Sequence, residues 1–128
     1  MGLERIEEEL LSKIAEISEA CRDFCKAGLC EGVPRLREGI LYEGYDYCLL
    51  KTYIDALKTP TFTLITKDEK YVEYVVLSDY VVEVGDEFIQ FIHVSNFQEY
   101  LKDLAEFNVV GSGVADELVR WVSGLRSK

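Results

Sequence analysis

The chain has 128 residues, which predicts one domain over residues 1–128, and its formal net charge is −10. A chain this acidic has no basic face to neutralise phosphates, so we expect no nucleic-acid binding. No basic and apolar leader opens the chain and no apolar run reaches the length of a membrane span. These features predict a cytoplasmic protein that does not contact a membrane.

Side-chain amides are scarce, and they occur only at Asn96, Asn108, Gln90 and Gln98. Few thermolabile residues beside many Glu and Lys residues are typical of proteins from thermophiles. We therefore expect a thermophilic source. This expectation bears on the four cysteines, because intracellular disulfides are common in hyperthermophiles and rare elsewhere.

The N-terminal third reads as helix, loop and helix. Apolar residues recur at steps of three and four from Leu3 to Phe24, which predicts one continuous amphipathic helix over residues 3–27. Gly and Pro residues interrupt the pattern over residues 30–43, so this segment is expected to be a loop with a short strand near residues 39–42. A second helix is predicted over residues 44–58, ending before Pro60.

Four short strands are predicted between residues 61 and 94, where apolar residues alternate and turn residues separate the runs. A two-residue turn at Gly85-Asp86 predicts that Val82 opposes Ile89. A four-residue loop over residues 67–70 and a tight turn at Ser78-Asp79 would connect the other strands. The sheet is therefore expected to be an antiparallel meander.

This register assigns the side chains to two faces of the sheet. The first face is the predicted core and carries Phe62, Leu64, Val75, Leu77, Tyr80, Val82, Val84, Ile89, Phe91 and His93. The second face is mixed, with Thr61, Thr63, Ile65, Val72, Tyr74, Val76, Val81, Glu83, Phe88, Gln90 and Ile92.

Two helices follow the sheet. Ser95 is a suitable N-cap for a helix over residues 95–107, with Gln98 at the capping-box position. A last helix is predicted to begin near Gly113. The fold class is therefore α+β: a four-stranded antiparallel meander over about residues 61–94, with two N-terminal and two C-terminal helices packed on it.

The second face leaves a choice between two arrangements. The four helices either cover both faces, or they stack on the first face and leave an apolar patch for a partner. Glu83 and Gln90 near the centre argue against a dry interface, since a buried unpaired carboxylate is costly. We expect a second copy of the chain to cover part of this face, and hence a homodimer. Its candidate interaction surface combines Tyr74, Val76 and Ile92 with two tyrosines that have no predicted core position, Tyr42 and Tyr47.

Four cysteines, Cys21, Cys25, Cys30 and Cys48, form the strongest candidate for chemistry. Their spacings do not match the paired Cys-x2-Cys pattern of zinc sites. Unpaired packing residues, one or two disulfides such as Cys25–Cys30, and a metal site all stay open. We predict no bound metal and no cofactor.

No catalytic residue is predicted. His93 is the only histidine and has no fixed acidic or serine partner in the sequence, which favours a packing or capping role. These observations favour a non-enzymatic interaction or regulatory domain that associates with itself or with another protein. The alternatives are a binding protein for a small apolar ligand held between sheet and helices, and a cysteine-based redox or metal protein.

Overall fold

The computed structural model describes residues 2–25 and 32–126, and in this part of the chain it shows an α+β fold. Four strands form one antiparallel sheet in the order β1-β2-β3-β4. The helices are α1 (Leu3–Ser12), α2 (Ile14–Ala20), α3 (Gly44–Leu57), α4 (Val94–Glu106) and α5 (Ser112–Arg126). The strands are β1 (Phe62–Ile65), β2 (Tyr71–Leu77), β3 (Tyr80–Val84) and β4 (Ile89–His93).

The sheet is the predicted meander, but the β3–β4 hairpin has a longer loop than the sequence suggested. Val84 pairs with Ile89 and Val82 with Phe91, so four residues, 85–88, form the connection. The Gly85 amide donates to the Phe88 carbonyl across this loop at 2.8 Å. The predicted pairing of Val82 with Ile89 is therefore wrong by two residues. A shift of two preserves the parity of the strand, so the side chains of β4 keep their predicted faces.

The β1–β2 hairpin differs by one residue, and this reverses the faces of β1. Phe62 pairs with Tyr74 and Ile65 with Tyr71. Thr66 and Lys70 close a three-residue loop in which Glu69 has a left-handed φ of 65°. The loop has three residues where four were predicted, and a change of one residue turns each side chain of β1 to the opposite face. Phe62 therefore lies on the second face and Ile65 on the first.

Helices α1, α2 and α3 cover the first face. Their apolar side chains pack on Val75, Val82, Val84, Ile89 and Phe91 of the sheet. The predicted single N-terminal helix is interrupted at Lys13, which ends α1 and precedes α2. The Ser12 hydroxyl donates to the Glu9 carbonyl at 2.7 Å, and such bonds compete with the helical ladder. After α2 the chain continues as a 3-10 turn at Arg22–Phe24, and the end of the predicted helix lies outside the described residues.

Helices α4 and α5 cover the second face, so the sheet is sandwiched between two helical layers. Phe97 and Leu101 of α4 and Leu118 and Val122 of α5 are buried there. They pack with five sheet residues in a second core, Leu64, Val72, Tyr74, Val81 and Ile92. The chain's own helices therefore cover the apolar patch that the sequence assigned to a second copy.

Candidate ligand-binding cleft

A cleft of about 440 Å³ opens at one end of the second face. In an antiparallel meander the β1–β2 and β3–β4 loops lie at the same end of the sheet, and the C-terminal end of α4 points there as well. The described residues that line the cleft are Thr66, Asp68, Lys70, Tyr71, Val72, Tyr74, Glu83, Gly85, Asp86, Glu87, Phe88, Tyr100, Leu104, Val109 and Val110.

Glu83 of β3 forms the polar part of the cleft wall, and it is only 4% exposed. Its Oε2 accepts a hydrogen bond from the Tyr74 hydroxyl at 2.7 Å, and its Oε1 accepts one from Gln90 Nε2 at 2.6 Å. The Tyr100 hydroxyl lies 2.7 Å from Oε1 and 2.9 Å from Oε2. Gln90 Nε2 is also 3.0 Å from the Tyr100 oxygen, so the four side chains form one network.

The two tyrosines are held as neutral donors. Burial, reinforced by the neighbouring Glu83 carboxylate, raises the pKa of Tyr74 well above its ordinary value. The same two causes raise the pKa of Tyr100. Both phenols therefore keep their protons throughout the neutral range and direct them at Glu83.

The connection between α4 and α5 forms one side of the cleft. Asn108 has a left-handed φ of 64° and turns the chain back after α4. The Val109 carbonyl then accepts from the Lys67 amide at 3.0 Å, and the Lys67 ammonium donates to the Asn108 side chain. These bonds fix the connection to the β1–β2 loop, so the lining residues Val109 and Val110 are positioned by two elements.

Negative charge dominates the cleft. Asp68, Asp86 and Glu87 are exposed at its rim, in addition to the buried Glu83. Lys70 is the basic residue among the described lining residues, and its ammonium lies 3.7 Å from Asp68. No serine, cysteine or histidine belongs to the described lining. The arrangement therefore suits binding of a positively polarised group.

The residues predicted as an interaction surface do not form an open surface. Tyr74 and Ile92 are buried under α4 and α5, and Val76 is partly buried in the same core. Tyr42 is 6% exposed, and its hydroxyl accepts from the Arg37 amide and donates to the Arg35 carbonyl. It packs edge-on against Phe91 and stabilises the loop before α3.

Tyr47 is half-buried on α3, and its hydroxyl donates to the Gly85 carbonyl at 3.3 Å. It therefore connects the first helical layer to the β3–β4 loop. Of the predicted surface residues, only Tyr74 belongs to the cleft.

None of the described cysteines lines the cleft. Cys21, at the end of α2, and Cys48, in α3, form a disulfide with their Cα atoms 5.7 Å apart. Cys21 is fully buried. The predicted Cys25–Cys30 pair involves Cys30, which lies outside the described residues. Within residues 2–25 and 32–126, no group of three or more Cys, His, Asp or Glu side chains could hold a metal ion.

His93 caps α4. Its Nδ1 accepts a hydrogen bond from the Ser95 amide at 3.1 Å and lies 2.8 Å from the Ser95 hydroxyl. The N-cap is thus His93, two residues before the predicted Ser95. Its ring also packs edge-on against Tyr80. His93 has a structural role at this helix terminus.

The Glu83 network also includes Tyr100 of α4, for which the sequence predicts no functional role. Tyr100 follows Phe97 by three residues, so both lie on the same side of the helix. A tyrosine at such a position, opposite a strand with a central Glu, is a signal that could have revealed the network.

No protein-family model, curated protein or solved structure matches this chain. None of the helices in the described part of the chain is long and apolar enough to cross a membrane.

Proposed function

We propose that this chain is a non-enzymatic binding protein that holds a small ligand in the cleft between the sheet and α4. The observation that carries the proposal is the buried Glu83 carboxylate, which is fixed by three neutral donors in a cleft with apolar walls and an acidic rim. A few oriented polar groups within apolar walls are typical of small-molecule sites. The cleft volume of about 440 Å³ falls within the usual range for such sites.

The test is to look for a bound molecule and then to fill the cleft. Val109 lines the cleft and is 37% exposed, so a Val109→Trp variant can place an indole in the opening. We expect mass spectrometry of the denatured wild-type protein, or a fragment screen by thermal shift, to identify ligands that Val109→Trp no longer binds. Leu41→Trp is the matched control, because Leu41 is 53% exposed and does not line the cleft. Equal binding by all three proteins, or no ligand for the wild type, would contradict the proposal.

We also propose, as a second function, that the chain associates with itself through the β1 edge. β1 is an outer strand, and Ile65 and the paired Tyr71 are 55% and 61% exposed on the first face. Exposed apolar edge strands favour pairing with another chain.

The thermophilic source and the cytoplasmic location stay predictions from the sequence.

Light scattering at micromolar concentration tests this second function. The wild type should have the mass of a dimer, and Ile65→Lys should shift it to a monomer because an edge lysine opposes strand pairing. Leu41→Lys introduces the same charge at a comparably exposed position outside β1 and should leave the mass unchanged. A monomeric wild type would exclude the homodimer.

A further inference from the structure

The surroundings of the buried Glu83 carboxylate indicate the chemistry of its ligand. An ionised carboxylate offers about four acceptor positions. Tyr74, Gln90 and Tyr100 fill these positions with only three protons, because the Tyr100 hydroxyl lies within hydrogen-bond distance of both Oε1 and Oε2. Because Glu83 lines the cleft, a ligand donor that enters the cleft can replace one of the two Tyr100 contacts.

The donors to Glu83 are all neutral. None of the ion pairs in the described part of the chain includes this carboxylate. Removing a charge from water without a counterion is costly, and neutral hydrogen bonds recover part of that cost. A positively charged ligand group would supply the missing counterion at this site.

The rim and the walls restrict the ligand further. Asp68, Asp86 and Glu87 attract cations to the opening, and the ammonium of Lys70 is paired with Asp68. The walls are apolar, with Val72, Phe88, Leu104, Val109 and Val110. A bare metal ion would not use these walls, whereas an organic cation would bury its carbon skeleton against them.

We propose that the cleft binds a small organic cation, an amine with an apolar body whose ammonium group donates to Glu83. This inference rests on the proposed binding function and specifies its ligand class. The ammonium supplies the counterion of the carboxylate, and the apolar body lies between the second face and the α4–α5 connection. The rings of Tyr74 and Tyr100 add aromatic surface beside the charge, which also favours a cation.

Isothermal titration with matched probes tests the ligand class. The pairs are 2-phenylethylamine with 2-phenylethanol, and hexylamine with hexan-1-ol, which differ only in the ammonium or hydroxyl group. We expect each amine to bind the wild type at least about tenfold more tightly than its alcohol, as a charge-assisted hydrogen bond predicts. Glu83→Gln should remove this preference. Glu73→Gln is the control, because it removes one acid from the neighbouring strand outside the cleft lining.

The wild-type protein provides a second measurement in case Glu83→Gln does not fold. Amide chemical-shift changes on adding 2-phenylethylamine should centre on Glu83, Tyr100 and Val109. Changes centred elsewhere, or alcohols that bind as tightly as amines, would overturn the cation proposal. Tight binding of the alcohols in the cleft would leave the binding function standing, whereas the absence of any cleft ligand in this titration and in the fragment screen would overturn both.

Discussion

Two tyrosine hydroxyls donate to one buried carboxylate, and this couples the stability of the fold to the protonation of the phenols. Burial and the Glu83 charge both raise the pKa of Tyr74 above the value of an exposed tyrosine, which is about 10. In the unfolded chain Tyr74 has that ordinary value. Below pH of about 10 both states are protonated, and the contribution of Tyr74 to stability is complete. As the pH rises further, the unfolded state loses its proton first and stability falls.

The first prediction is that the free energy of unfolding decreases above pH of about 10 by roughly 1 kcal/mol per pH unit through Tyr74. Urea unfolding at several pH values from about 8 to about 11 measures this slope. Tyr74→Phe should be less stable at neutral pH, because Glu83 loses a donor, but its slope should be shallower. Tyr71→Phe is the control, since Tyr71 is 61% exposed and should keep the wild-type slope. Identical slopes for wild type and Tyr74→Phe would contradict this account.

At the scale of the elements, the β3–β4 loop depends on one glycine. A Cβ atom added at Gly85 would lie 2.1 Å from the Phe88 ring, so a side chain at this position displaces that ring. Phe88 lines the cleft, and the Gly85 carbonyl accepts from Tyr47. The absence of a side chain at Gly85 therefore allows both the loop and one wall of the cleft to form.

The second prediction is that Gly85→Ala destabilises the protein by about 1–3 kcal/mol, as overpacking does. Denaturant unfolding measures the change. The matched control is Gly113→Ala in α5, where an added Cβ would meet none of the described neighbouring atoms within 4 Å. That substitution should be neutral or stabilise by up to about 1 kcal/mol, since alanine favours a helix. The double variant Gly85→Ala with Phe88→Ala should lose less free energy of unfolding than the two single variants lose together, because Phe88→Ala removes the ring that the new Cβ would meet. Strict additivity would show that the ring is not the cause.

Loop parity explains which features of the sheet the sequence could predict. The alternation of apolar and polar residues identified the four strands. The predicted faces of β3 and β4 are correct although the predicted pairing is wrong by two residues, because side chains alternate with a period of two. The predicted faces of β1 are wrong, because the loop closed by Thr66 and Lys70 contains three residues and not the predicted four. The helix is interrupted at Lys13, next to the Ser12 hydroxyl that donates to the Glu9 carbonyl, and the spacing of apolar residues does not predict this interruption. The cleft depends on which helices cover the second face, and that is a tertiary property.

At the scale of the whole molecule, the sheet separates two apolar cores that are stabilised differently. The first-face core includes Cys21, whose disulfide to Cys48 connects the end of α2 to α3. The second-face core contains no cysteine among its described residues, and Glu83 is the buried acidic group beside it. The disulfide therefore acts on the layer opposite the cleft. Loss of the bridge should weaken that layer first.

The third prediction is that Cys21→Ala combined with Cys48→Ala lowers the free energy of unfolding by about 2–4 kcal/mol, the usual range for a disulfide. The bridge spans 27 residues, and its loss increases the freedom of the unfolded chain. Native-state hydrogen exchange should show the larger loss of protection in α1, α2 and α3, with α4, α5 and the cleft affected less. Cys21→Ala alone already breaks the bond, so it should have nearly the effect of the pair. A double variant as stable as the wild type, or one that loses protection mainly in α4 and α5, would contradict the assignment of the bridge to the first helical layer.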